Sequence, residues 1–274
     1  MLRKLDNRGT IAAWTDALAL LALLGASILG IWLSWGLIYD FIVDQGWHMQ
    51  ASSRVAGGEM LYRDLIWMYG PLPVYLLAWL FRWLGTSVTP FLLLYAVLLT
   101  AGVLLTYRVA RFLLPLPLAL LGTVALFLGG WWGGFVAYDQ AYTGAVPLGA
   151  VMGLLSVLCL LSYLKDGRLG WLAGAGFTSG LALLTKPEFG LAGVGTGLLI
   201  LLALLLFPKG VVAAPGRRGR ALVVHLLCTV TVAGLGYGLL AYQAGWHNVW
   251  LGITGYDQDA ILLQVWPPWG TQES

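Results

Sequence analysis

Long apolar runs alternate along this chain with short polar connections. A hydrocarbon core ~30 Å thick takes about 20 helical residues. Stretches free of Asp, Glu, Lys and Arg lie at 17–39, 88–107, 112–131, 144–164, 169–185, 189–207 and 221–242, and they predict seven spanning helices. Residues 71–85 (PLPVYLLAWLFRWLG) depart from this pattern, with eleven uncharged residues from Pro71 to Phe81 before Arg82 interrupts. That length suits an interfacial or re-entrant helix better than a span. The run at 17–39 follows Arg3, Lys4 and Arg8 as a signal peptide would, but it is too long and ends in no small-residue cleavage site. It reads as a retained first span.

The expected fold is therefore all-α, a polytopic transmembrane bundle of about seven spans whose outer first loop carries interfacial helices. Composition agrees, with 59% hydrophobic and 10% charged residues, against ~25% charged in soluble domains. Soluble, disordered and disulfide-scaffold classes are excluded. The 37 Gly suit helices that approach closely in lipid. Cys159 and Cys228 each sit inside an apolar run, so no structural disulfide is expected, and the net charge of +3 says less than its sidedness.

If 71–85 does not cross and the N-terminus is cytoplasmic, eleven cations lie inside: Arg3, Lys4, Arg8, Arg108, Arg111, Lys165, Arg168, Lys209, Arg217, Arg218 and Arg220. Four (Arg54, Arg63, Arg82, Lys186) lie outside. If 71–85 crosses, the split becomes five inside against ten outside, so the positive-inside rule selects the first topology. Asp40, Asp44, Glu59, Asp64, Asp139, Glu188, Asp257, Asp259 and Glu273 then all fall outside, which directs the search for chemistry to that face. The Pro/Gly/Arg stretch 208–220 is a cytoplasmic loop, and residues 1–274 form a single membrane domain without a convincing internal repeat.

The first outer loop, about residues 40–70, is the most polar part of the chain, and loops beyond ~12–15 residues are usually functional or disordered. Its Trp and Tyr content argues against disorder. Asp40, Asp44 and His48 recur every fourth residue, so a short helix puts them on one face. A carboxylate and an imidazole there fit a base with its orienting partner, or two metal ligands; the alternative is an ordinary solvated helix start. Lys186 precedes Pro187, which biases the chain away from helical geometry and predicts a helix break at membrane depth. A cation there can neutralise an anionic ligand or snorkel to the interface. His225 within a span reads as an interior hydrogen-bonding residue.

The run from Asp44 to Gly85 resembles the first-loop signature of the GT-C integral-membrane glycosyltransferases, of the family 39, protein O-mannosyltransferase and aminoarabinose transferase type. The residues that carry it are an acid after the first span (Asp44), a small-residue helix, the G-x-x-x-Y-R-D turn at Gly58, Tyr62, Arg63 and Asp64, and Y-G-P-L from Tyr69 to Leu72. The segment Gly180 to Gly190, GLALLTKPEFG, is similar to a G-L-A-x-L-T-K segment at the outer end of a later span. The resemblance covers about residues 40–207. It implies a polyprenyl-phosphate-linked sugar as donor, a glycan, lipid or protein as acceptor, membrane lipid but no nucleic acid as partner, and a bacterial cytoplasmic membrane with the reacting centre outside. A polyprenyl phosphate leaves as an anion, so one carboxylate serving as base suffices.

Residue by residue, the resemblance assigns the catalytic carboxylate to Asp44 and substrate contacts to Asp139, Lys186, Tyr62, Arg63, Glu188 and His48. Many relatives carry a second acid where this chain has Gln45, so a divalent cation stays an open cofactor. Glu188, two residues beyond Lys186, is expected to face another way on a regular helix, and Arg63 with Asp64 is expected to pair internally. Relatives are usually longer, so the chain reads as the N-terminal part of such a module. A transporter or lipid-handling scaffold is the alternative, although transporters commonly show repeated halves.

Overall fold

The computed structural model describes residues 2–35, 44–132, 144–206 and 215–254. Ten helices are described: α1 (Leu2–Ser34), α2 (Asp44–Ala56), α3 (Leu72–Leu84), α4 (Val88–Leu113), α5 (Leu116–Trp132), α6 (Ala145–Asp166), α7 (Leu169–Leu183), α8 (Pro187–Leu206), α9 (Pro215–Ala244) and α10 (Trp246–Thr254). Five contain stretches long and apolar enough to cross a membrane: Ala13–Ser34, Val88–Leu113, Ala145–Asp166, Pro187–Leu204 and Gly219–Ala244. The apolar helices at 116–129 and 169–183 are shorter. Large apolar side chains such as Leu18, Leu21 and Ile28 on α1, and Leu227, Val230, Leu235 and Leu239 on α9, point outward and are exposed. Helices clad this way belong in lipid, and the chain is an integral membrane protein.

The start of the apolar stretch of α1 meets the end of α4. Asp16 accepts hydrogen bonds from Tyr107 (2.8 Å) and from Arg111 Nε (2.7 Å), while Ala19 and Leu23 pack with Tyr107 and with Ala119 at the start of α5. α1 and α4 therefore run antiparallel, and the two short helices between them return the chain to the end from which α4 starts. At that end Ala145 of α6 and Leu240 and Ala244 of α9 join Trp67, Tyr69 and Val74 of the first loop in one core cluster. At the opposite end Leu160 and Tyr163 of α6, Leu172 of α7, Leu204 of α8 and Ala221 of α9 form another. The long helices thus alternate in direction, and α2, α3 and α10 form a layer over one end.

Small residues set how closely the inner helices approach. A Cβ added at Gly176 of α7 would overlap the His225 carbonyl of α9, and one at Gly180 would lie 2.9 Å from the Thr229 carbonyl. This small-xxx-small spacing brings the two backbones together where hydrophobic force between helices is absent. Buried polar side chains nearby are mated locally: the Ser156 and Ser179 hydroxyls lie 2.9 Å apart, and Thr229 donates to the His225 carbonyl. The His225 ring itself is buried between α7 and α9, with the Leu172 backbone as a polar neighbour.

Candidate functional site

The first loop folds into two parallel helices with a turn between them. Asp44 opens α2, an acidic group at the positive end of its dipole, and the far end of α2 is capped by Arg82, which donates to the Val55 and Ala56 carbonyls (3.1 and 3.2 Å). Arg82 interrupts the apolar run of α3 because its partner is the neighbouring helix. Gly58 (φ 105°) turns the chain out of α2, and Tyr62 adopts φ 67°. For a bulky residue that left-handed conformation carries strain that its surroundings must hold. The Tyr62 ring is buried against Gly252 of α10, and its hydroxyl donates to the Tyr69 carbonyl.

The turn then reaches the end of α7. Helix C-termini leave carbonyls without partners, a serious cost where water is excluded, and here each is answered. Ala182 accepts from the Thr185 and Lys186 amides, Leu183 from the Tyr237 hydroxyl (2.7 Å), Leu184 from the Leu72 amide (2.8 Å) and Thr185 from the Gly70 amide (2.9 Å). Tyr69-Gly70-Pro71-Leu72 therefore closes the broken end of α7, and α8 restarts at Pro187. The break expected at Lys186–Pro187 is present. The close approach demands glycine at position 70, because a Cβ there would overlap the Leu184 carbonyl.

Lys186 lies in the break. Its ammonium sits 5.6 Å over the Tyr69 ring and 3.8 Å from a Glu188 carboxylate oxygen. The Lys186 side chain is 23% exposed and that of Glu188 70%. Glu188 shares this side because the helix begins only at Pro187, so regular helical spacing does not separate the two. From Tyr69 the aromatic contacts continue to Trp67 (5.5 Å) and Trp47 (6.4 Å), with Trp47 one turn along α2 from Asp44. Lys186 and the Asp44 end of α2 thus share one aromatic cluster. Asp139 and Asp40 lie outside the described residues.

His48 is fully buried beside Trp67 and Phe91, and its Nδ1 accepts from the Gly144 amide at the start of α6 (3.3 Å). Desolvation pushes the imidazole down to about 4, with the Pro73 carbonyl pulling the other way. It is a neutral strut between α2 and α6. Tyr62 likewise braces the turn. Arg63 pairs bidentately with Asp64 (2.9 and 2.8 Å), as expected, and this guanidinium, with the Met60 amide, lowers the Asp64 carboxyl to about 2.

Beside α2 lies a feature that sequence reading missed, a groove of about 260 Å³ lined by Trp47, Gln50, Arg54, Asp64, Leu65 and Ile66. Helix α10, which closes over the turn, was also missed: it is nine residues long, too short for a span, and its start is set by Gly245 at φ 87°. Among the described residues no group of three His, Cys, Asp or Glu side chains gathers to hold a metal ion. No family model matches the chain, and neither a curated protein nor a solved structure matches it.

Proposed function

We propose that this membrane domain belongs to a glycosyltransferase that moves a sugar from a polyprenyl phosphate to an acceptor at the outer face of the membrane, in the manner of the GT-C enzymes its first loop resembles. The observation that carries this reading is the hydrogen-bonded joint between Tyr69–Leu72 and Leu184–Thr185. It unites the two segments of resemblance, which are more than a hundred residues apart in sequence, and leaves Lys186 beside the layer that begins with Asp44.

In this reading seven helices (α1 and α4–α9) span, the N-terminus is cytoplasmic, and α2, α3 and α10 lie at the outer interface. The alternating helix directions support that topology, as do Arg111 and Lys165 near the end opposite the layer. The 13-residue α2 and α3 are ~20 Å long at 1.5 Å per residue, short of a ~30 Å core. The donor's lipid tail stays among the apolar outward faces while its phosphate reaches the Lys186 break.

Asp44 takes the proton from an acceptor hydroxyl, and the oxygen attacks the anomeric carbon. The bond from that carbon to the phosphate oxygen breaks, its electron pair leaving with the polyprenyl phosphate, whose charge Lys186 offsets. The test is transfer from a radiolabelled lipid-linked sugar in proteoliposomes. Asp44→Asn should lower turnover by about 10²–10⁴-fold while donor binding is kept. Unchanged turnover in folded Asp44→Asn protein refutes the assignment.

A further inference from the structure

The groove beside α2 has a chemical character that narrows what can fill it. Its two charged lining residues are already neutralised within the protein. Arg54 donates from Nε to both Glu59 carboxylate oxygens (3.0 and 2.9 Å) and from Nη2 to the Glu59 carboxylate and the Asp64 carbonyl. Asp64 accepts from Arg63 and from the Met60 amide (2.8 Å). Of the charges that line the groove, Arg54 is thus already matched by Glu59 and Asp64 by Arg63, so an entering anion or cation competes with a partner in place. Neither finds an unmatched countercharge.

Two uncharged lining groups are open to a ligand. Gln50 is exposed and makes no hydrogen bond among the described residues, so its amide offers two donors and an acceptor. Trp47, backed by Trp67 at 4.8 Å, supplies a rigid aromatic surface. Beside them Arg54 Nη1 is not used in the pairing. An aromatic face next to neutral donors and acceptors suits a ring that is apolar on its C–H face and hydroxylated at its edge. The volume falls below the roughly 300–1,000 Å³ of pockets for drug-sized ligands, as a single sugar ring requires.

The groove follows one stripe of α2. Asp44, Trp47, Ala51 and Arg54 recur at spacings of three and four, so they share a helical face, and the stripe leads from the groove to the proposed base. We infer that the groove binds a neutral sugar ring of the acceptor, so that the acceptor is a glycan. The sugar site stands on the groove itself, and only its role as the acceptor rests on the transferase reading.

The experiment uses the full chain in nanodiscs, free of glycoside detergents that would compete. Saturation-transfer NMR and titration are run with neutral methyl hexopyranosides and short neutral oligosaccharides, with inorganic phosphate and a sugar phosphate as charged probes. Millimolar binding of at least one neutral glycoside is expected, weakened about 2- to 10-fold by Gln50→Ala and more by Trp47→Leu, with Trp47→Phe keeping part of it. Gln50 is exposed and its substitution does not threaten folding, so it decides the matter if Trp47→Leu fails to fold. Absence of neutral glycoside binding, binding untouched by Gln50→Ala, or displacement by phosphate overturns the inference. Glycoside binding without transfer leaves the sugar site standing and removes the transferase reading. Transfer to a non-glycan acceptor leaves the transferase reading standing and overturns the inference that the groove holds the acceptor.

Discussion

Replacing Gly70 by alanine tests the joint on which the site depends. The added Cβ would overlap the Leu184 carbonyl and come within 2.8 Å of the Thr185 nitrogen, both backbone atoms that no rotamer change can move. Relief requires the loop to withdraw, which breaks the Gly70-to-Thr185 and Leu72-to-Leu184 hydrogen bonds together. Each such bond contributes about 0.5–1.5 kcal/mol, and overpacking costs about 1–3 kcal/mol. The sum is about 2–6 kcal/mol, a fall in thermal midpoint on the order of 10 °C for a chain of this size. The assay is thermal unfolding in nanodiscs beside Gly25→Ala, where a Cβ meets nothing within 4 Å and the midpoint should move by no more than ~2 °C. A Gly70→Ala midpoint as little changed as the control refutes the closure of α7 by the first loop.

Two further expectations concern pH and topology. His48 titrates at about 4 in the fold against 6.5 unfolded, so the unfolded chain binds a proton that the fold refuses. Stability contributed at this site is unaffected above pH 6.5 and is lost as pH falls toward 4, by up to about 3 kcal/mol. His48→Asn keeps an acceptor for the Gly144 amide, and the difference in midpoint between wild type and variant should carry that slope; a difference independent of pH contradicts the buried neutral imidazole. Single cysteines at positions 87 and 217 should label from outside and inside respectively, and the reverse pattern overturns the seven-span topology.

Much of this fold is legible in hydropathy alone, because crossing lipid forces long uncharged runs: each predicted run falls on a described helix, five of them long and apolar enough to cross and two, at 116–129 and 169–183, shorter. The 71–85 segment is short for the reason given by Arg82, whose guanidinium caps α2. The break before Pro187 follows from proline's missing amide. The closure of that break by Gly70 and Leu72 is not legible, since nothing in either local pattern names the other as partner. Helix α10 escapes because nine residues with a His and an Asn give neither a span nor a strong period. The groove escapes for a similar reason: sequence displays Arg54, Glu59, Arg63 and Asp64 as charges, and only their mating in space leaves Gln50 and Trp47 as its uncharged polar and aromatic lining. In sequence His48 reads as the partner of a base, a metal ligand or a substrate contact, and in the structure it is sealed from solvent.

The role of Lys186 is tested most directly by the affinity of a radiolabelled polyprenyl-phosphate sugar for wild type, Lys186→Ala and Lys186→Arg proteins in nanodiscs. Loss of a charge-assisted contact of about 1.5–3 kcal/mol corresponds to roughly 10- to 100-fold weaker binding for Lys186→Ala, and Lys186→Arg should recover part of it, since a guanidinium keeps the charge with a different geometry. Equal affinity across the three proteins, or no binding by the wild type, contradicts a donor phosphate held at the break between α7 and α8.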